Sequence, residues 1–493
     1  MNRRWLSGLV LAALALTAGV SAPAGRQGQE RYAPQEWQSM TVTRYVRSVA
    51  VGSRFVGVAT EGGLLFYDRL VDRWNAPMTR SDGLPDNAVQ EVRIRADGNF
   101  EIRTRRDVGV VDPLAMRYMP DPFGVVRPPA PPIGLPGNLF AGPDYLYLPG
   151  GQIAGPSGFT ADIVASDRDE DAGIWIGTWG LGAGHADLRT LSLQMKPQGL
   201  WLSEVQALLV TPGVIVAGGL GGMEGGGGIS ELDRRASLWR YTLAADTPGL
   251  LSDRVSDLTA RGREVWAAVQ GAVARRDAGG RWQTWTRAHG LPDGRTTAVA
   301  AGDGEVWVGT MRGAAAVVGD TLVQVPLAVD RAVLGISVSA DGVWWATEAG
   351  AYSYRGAWPE GQMARMDHPD GRLDGQVDAV GSHENEVWWG GAMGVVGYHA
   401  GRGEWLDVPR VGPFVPGEVN DIALDDENVW VGTATGVWRL IRETGQWHHY
   451  TEADGLIGGW VWTIELEPEA HVVWFGTDEG LTRFDYRLRR KAP

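Results

Sequence analysis

Few residues in this sequence stand at the spacings that chemistry requires, and those that do are acids, histidines and glycines. The run Asp167-Arg168-Asp169-Glu170-Asp171 alternates carboxylates as a calcium loop does. It departs from that loop in two places. Gly173 comes one position late for the sharp turn, and the twelfth position is Thr178 where a bidentate Glu is needed. Asp167, Asp169 and Asp171 are therefore weak metal candidates, and a solvated turn is the simpler reading. Of the eight histidines, His448 and His449 are neighbours on a predicted strand, so their rings point to opposite faces and cannot share an ion. His185, His289, His368, His383, His399 and His471 are scattered and read as structural or surface groups. The run Gly218 to Gly228 looks like a phosphate cradle, but that chemistry needs a helix N-terminus after the loop, and Ile229 to Leu232 reads as a strand. No Gly-x-Ser-x-Gly elbow occurs. The absence of Cys excludes disulfides, thiolate zinc sites and a catalytic thiol. No cofactor is implied.

The elements that must position any site come from a repeat. An apolar pair with Trp, a small residue, Thr and a Gly turn recur as Ile174-Trp175-Ile176-Gly177-Thr178, Val306 to Thr310, Val429 to Thr433 and Val473 to Thr477, with weaker copies before and between them. From Val265 onward the copies are spaced at the period of a four-stranded propeller blade. Within Val419 to Thr451 the spacing predicts strand A at Val419 to Leu424, B at Val429 to Thr433, C at Gly436 to Ile441 and D at Gln446 to Thr451, with hairpin chemistry at each joint. Strand B is apolar throughout, as expected of a strand packed on both faces, and its central Gly lets neighbouring backbones approach closely.

The prediction is an all-β propeller of about ten four-stranded blades over residues 35–488, with a Pro- and Gly-rich insertion at 119–159. Tyr145 to Leu148 inside it is a possible strand of an eleventh unit. One large ring is favoured and two smaller propellers are the alternative, disfavoured because no paired linkers for leaving and re-entering a ring are visible. A strand-D signature at Glu36 to Thr41 precedes the first strand A, while the chain ends with strands A, B and C at Val461 to Tyr486. The N-terminal strand should therefore complete the last blade and close the ring, leaving no free edge.

Of the 23 tryptophans, 13 fall on strand B or strand D and have a packing explanation, whereas Trp179, Trp201 and Trp460 do not. Trp179 lies in a B–C turn and Trp460 in a D–A turn, which open on one face. That face also gathers Arg105, Arg106, Gln270, Arg312, Glu348, Met393 and Asp478. The nine residues form a candidate site for a polar ligand or a peptide.

A net charge of -14 argues against nucleic acid as a partner. The basic cluster at Arg487 to Lys491 is a short solvated tail, with 489–493 lying beyond the predicted propeller. Residues 1–24 read as a secretory signal ending Ala22-Pro23-Ala24, and no later stretch approaches the length of a membrane span. Periplasmic or extracellular location is the expectation.

The segments Ser81-Asp82-Gly83-Leu84-Pro85, His289-Gly290-Leu291-Pro292 and Ala453-Asp454-Gly455-Leu456 each precede a strand A. Each is followed by the Trp strand and a Gly turn such as Thr477-Asp478-Glu479-Gly480. On these residues the chain, from about 36 to 486, resembles the two-component regulator propeller repeats of bacterial periplasmic sensors. The resemblance implies a ligand-binding sensor region. The immunoglobulin-like domain, membrane span and kinase that usually follow such propellers are not seen in this sequence, so signalling would pass through another protein, such as a separate sensor kinase. The leading expectation is a non-enzymatic sensor or interaction module that binds a small ligand, a glycan or an envelope protein through its B–C and D–A loops. The alternative is a polysaccharide hydrolase or lyase on the same scaffold, and a purely structural envelope component is third.

Overall fold

The structure is a computed structural model that describes residues 36–487 apart from 125–130, 143, 156–157, 170–171, 222–226, 327–330, 413 and 415–416. The signal sequence, the basic tail, Asp171 and part of the glycine run lie outside the described residues. Ten antiparallel sheets carry nearly all of the regular secondary structure among the described residues. The ninth consists of Val419–Leu424, Asn428–Thr433, Gly436–Ile441 and Gln446–Tyr450, within a residue of the sequence reading.

The repeat works through three local devices. At the end of strand B, the Thr hydroxyl donates back across the turn: Thr310 Oγ1 to the Gly313 carbonyl at 2.7 Å and Thr347 Oγ1 to the Gly350 carbonyl at 2.7 Å. The accepting glycines have φ of 104° and 118°, which a side chain would resist. In the D–A connections, Thr79 N–H donates to Asp82 Oδ2 at 2.9 Å and Thr451 N–H to Asp454 Oδ2 at 2.9 Å, each around a short 3-10 turn or its equivalent. The next Gly then turns the chain so that Leu84 or Leu456 is buried. Finally, the strand-B glycine receives the first residue of the next sheet's inner strand. A Cβ on Gly218, Gly309 or Gly390 would stand 2.8, 2.8 or 2.7 Å from Val255, Val333 or Val419 respectively.

That third device fixes the order of the sheets, and the order is not a ring of ten. The inner strands of sheets 4 to 10 are Ala207–Val210, Val255–Arg261, Thr296–Ala301, Val333–Ser339, Ala379–His383, Val419–Leu424 and Val461–Glu467. Successive members lie side by side, and the last returns to the first. Gly476 of sheet 10 faces Val205 at the entry to sheet 4, whose N–H donates to the Thr477 carbonyl at 2.8 Å. The central channel is accordingly lined by these seven strands and by none from the first three sheets.

Sheets 1 to 3, with inner strands Val46–Val51, Val89–Ile94 and Thr160–Arg168, form a separate row in the spatial order 3-1-2. Gly177 of sheet 3 packs on Val46 of sheet 1, and Gly57 of sheet 1 packs on Val92 and Phe100 of sheet 2. The ten sheets stand as predicted. The single ring is corrected to a seven-sheet propeller with a three-sheet row, nearer to the divided alternative. Paired linkers exist after all: Leu200 N–H donates to the Thr41 carbonyl at 2.9 Å, and Thr43 Oγ1 to the Gln198 carbonyl at 2.6 Å. The row is thus an excursion out of a D–A connection.

The predicted closure is present. Trp37–Met40 is the fourth strand of sheet 10, paired with Leu481–Asp485 in the register Trp37 to Phe484. Trp37 is 1% exposed and stacks on Phe484 with ring centroids 4.1 Å apart. Among the described residues the stretch 119–159 makes no eleventh sheet. Met119 lies within the last strand of sheet 2 (Arg117–Pro120), and Leu146–Leu148 and Gln152–Ala154 extend sheet 3 to six strands. They lead a covering layer in which Tyr147 and Ile153 pack over Ile174 and Ile176, joined by Trp201 from the neck and by Leu243 just after the last strand of sheet 4.

Candidate functional site

Where the row meets the ring, a cleft of about 640 Å³ opens on the face of the B–C and D–A loops. The neck supplies Arg44 and Tyr45 on one linker and Trp201 and Glu204 on the other. B–C turns supply Glu61 from sheet 1, Arg105 and Arg106 from sheet 2, and Asp478 and Glu479 from sheet 10. The D–A loop between sheets 1 and 2 supplies Arg80, Asp86 and Asn87.

Charges on this wall alternate and hold one another. Arg105 Nη2 donates to Glu61 Oε2 at 2.9 Å, and Arg47 also pairs with Glu61. Arg106 lies 3.9 Å from Asp86. Arg80 crosses from row to ring, with its Nη2 at 2.8 Å from the Ile457 carbonyl, 3.0 Å from Glu479 and 3.4 Å from Glu452. Beside it, Ser81 Oγ donates to the Gly455 carbonyl at 2.8 Å, which ties the D–A loop of sheet 1 to the equivalent loop of sheet 9. Arg44 lays its guanidinium over Trp201 at 4.1 Å and Tyr45 at 4.8 Å, a cation–π stack that keeps both rings in place. Burial raises the Glu479 carboxyl above its ordinary range, opposed by Arg80, and burial pushes Asp82 up to about 6 even though Thr79 donates to it.

The nine residues singled out from the sequence divide. Arg105, Arg106 and Asp478 line the cleft. Trp179, 42% exposed, borders it through Tyr45 (ring centroids 5.2 Å apart) and lies under Arg47. Trp460 exchanges backbone contacts with Asp478, its N–H donating to Asp478 Oδ1 at 3.1 Å, and stacks on Trp462. Gln270, Arg312, Glu348 and Met393 sit on the B–C turns of sheets 5 to 8, around the ring and outside the cleft. Arg312 is 4.0 Å from Asp293 and Glu348 is 3.6 Å from Arg331. Sequence reasoning passed over Arg44, Tyr45, Glu61, Arg80 and Glu479. Glu61 and Glu479 occupy the same B–C turn as Arg105, and Trp201, which fits neither strand position, was the legible signal for the neck.

The weak calcium candidate is occupied by protein donors. Asp167 Oδ2 accepts the Val51 N–H at 2.8 Å, joining sheets 3 and 1, and Asp169 pairs with Arg69 at 2.5 Å and lies 3.4 Å from His185.

The ring's channel, about 500 Å³, is a second concave region. Its wall carries Asp257, Asp421 and Glu465 and neither Lys nor Arg. Asp257 accepts the Leu258 and Val299 N–H groups at 2.8 Å each, and Asp421 those of Ile422 and Ile464 at 2.8 and 2.7 Å. Burial pushes Asp257 up to about 7 and Asp421 up to about 6, and it raises Glu465 well above the ordinary range. The mutual repulsion of the three adds to the rise in Asp257 and Glu465.

No family model matches the chain, and no curated protein matches it. Among solved structures it is similar to the extracellular domain of the putative hybrid two component system BT4673 from B. thetaiotaomicron, at 15% identity over 89% of this chain and 70% of that one, with a TM-score of 0.46. The corresponding domain of BT3049 from the same organism gives 15% identity over 90% of this chain and 62% of that one, with a TM-score of 0.49. A streptogramin B lyase gives 14% identity over 58% of this chain and 94% of that one, with a TM-score of 0.45. Among the described residues no helix is long and apolar enough to cross a membrane.

Proposed function

We propose that this chain is an exported, non-enzymatic sensor or interaction module that takes a polar ligand or a segment of a partner protein in the cleft between row and ring. The observation that supports this reading is the origin of the cleft walls: Arg105, Arg106 and Glu61 come from the row, Asp478 and Glu479 from the ring, and Arg44 and Trp201 from the two linkers of the neck. A ligand that satisfies donors on one side and acceptors on the other fixes the two bodies together, which converts binding into a change another protein can read. A separate sensor kinase is the partner that suits such an output.

The test is calorimetric titration of cell-envelope glycans and peptides into the full chain. Arg105→Ala with Arg106→Ala, and separately Asp478→Ala, are expected to weaken a binder at least about tenfold, the loss of roughly one charged hydrogen bond. Met393→Ala, outside the cleft, is expected to leave it unchanged. A ligand bound equally by all three, or no ligand from either class, overturns the reading. The enzymatic alternative draws on Glu479, a carboxyl raised towards general-acid use beside Asp478 and Asp86. Release of reducing ends or unsaturated products from a polysaccharide panel, abolished by Glu479→Gln, separates it from pure binding.

A further inference from the structure

The face opposite the cleft carries the turns between strands A and B, and two of these turns bring metal-ligating side chains together. His383 ends strand A of sheet 8 and Glu384 follows it in the turn, while Asp426 stands in the A–B turn of sheet 9, one repeat later. One ligand atom from each of the three lies within 4.8 Å of those of the other two. His383 Nε2 and Asp426 Oδ1 are 3.3 Å apart. The fold presents Asp426 by fixing its neighbour: Asp425 accepts the N–H groups of Glu427 and Asn428 at 2.9 and 2.7 Å and the Tyr486 hydroxyl at 2.8 Å.

We propose that His383, Glu384 and Asp426 bind a divalent metal ion of the zinc class. In a tetrahedral site with bonds of about 2.0 Å the ligand atoms stand about 3.3 Å apart, the separation of the His383 and Asp426 atoms here. A movement of at most about 1.5 Å brings the Glu384 carboxylate to the same spacing, and that side chain is exposed and free to make it. One imidazole with two carboxylates is a mixed nitrogen and oxygen set, which suits zinc and its first-row neighbours, with water in the fourth position. Calcium and magnesium ask for six or more oxygens and are the poorer fit. None of the three side chains pairs with Arg or Lys among the described residues, and Arg442 from sheet 9 is held by Glu386 at 2.6 Å. The surroundings do not oppose a cation: His383 lies on the wall of a channel lined by neither Lys nor Arg. Asp426 is 83% exposed, so the ion has a direct path from solvent.

The experiment uses the full chain, untagged and freed of metal with a chelator, titrated with Zn²⁺ by calorimetry and with Co²⁺ by visible absorption. One Zn²⁺ per chain is expected, together with a Co²⁺ band in the visible and a rise in Tm on adding Zn²⁺. His383→Ala, Asp426→Asn and Glu384→Gln are each expected to weaken binding about tenfold or more, and the first to remove the Co²⁺ band. Glu384 and Asp426 are in solvent-exposed turns and His383 is the partly exposed last residue of its strand, so the variants are expected to keep the fold, and an unchanged Tm without metal verifies it. Absence of saturable binding, binding that His383→Ala leaves unchanged, or loss of binding in Glu465→Gln alone overturns the proposal, the last by placing the ion in the channel.

Discussion

Closure of the ring by residues 37–40 is best tested at Trp37, because deleting the whole strand would also free the chain directly before Thr41 and Thr43 and so disturb the neck. Trp37→Ala leaves the backbone ladder to Leu481–Asp485 in place and takes away one side chain. That side chain is buried among Tyr450, Phe475 and Phe484, with centroid distances of 5.8, 6.3 and 4.1 Å. Truncating a fully buried Trp costs about 3–5 kcal/mol, and the stacked pair with Phe484 contributes about 0.5–1.5 kcal/mol of the total. Against the roughly 5–15 kcal/mol by which domains are stable, this removes a large share and corresponds to a fall in Tm on the order of 10 °C. Trp460→Ala is the matched control: that ring is 37% exposed and its loss should move the melt by far less. Calorimetry of the two variants beside the wild type decides the matter. If Trp37→Ala melts within about 2 °C of wild type, the strand is not a clasp and the closure argument fails.

The channel acids make stability depend on pH with a definite sign. Each is raised on folding, so the stabilising state is the protonated one, complete near pH 4 and lost as the pH rises through about 6 for Asp421 and about 7 for Asp257. For Asp257, with its ordinary value at 3.8, the loss by pH 8 is about 4 kcal/mol, so Tm should fall between pH 5 and pH 8 and fall less in Glu465→Gln; a flat or rising Tm refutes it. Arg80→Ala removes the contacts to the Ile457 carbonyl, Glu479 and Glu452. It is expected to cost about 1–2 kcal/mol and to speed proteolysis at the neck, and an unchanged cleavage rate counts against row-to-ring locking.

What the sequence made legible was local. The Trp and Gly of strand B, the Thr that closes its turn, and the Asp-Gly-Leu of the D–A loop each act within a few residues, so the strands of sheet 9 and the closing strand at Trp37 could be placed from pattern alone. The partition of sheets could not. It depends on which Val meets which strand-B Gly, and Val46, Val205, Val255 and Val333 are equivalent in their local sequence. Nothing near Gly177 says that it meets Val46, which precedes it by two sheets, or near Gly476 that it meets Val205. The linkers were hidden for a related reason: Thr41 to Arg44 reads as an ordinary first D–A loop, and its partner Gln198 to Trp201 lies far along the chain. The cleft suffered the same blindness. Residues spaced evenly around an imagined ring of ten gave nine candidates, of which Arg105, Arg106 and Asp478 converge because the row brings sheet 2 up against sheet 10.

The position of the row has a mechanical consequence. A propeller closed by a non-covalent fourth strand has its seam where that strand leaves for the first blade, here between sheets 10 and 4. The row is inserted at this point. Its linkers pair at the seam through Thr41 and Leu200, and its loop at Arg80 and Ser81 grips the loops that flank sheet 10. The cleft therefore lies beside the least covalently secured part of the ring, and Glu479 on its wall is two positions from Leu481, whose register partner is Met40 of the closing strand. A ligand held by Arg105 and Arg106 on one side and Asp478 and Glu479 on the other would bridge the row to sheet 10 beside that seam. A ligand docked on the far side of the ring, at Gln270 or Met393, would touch sheets whose neighbours are joined covalently on both sides and would have no comparable lever.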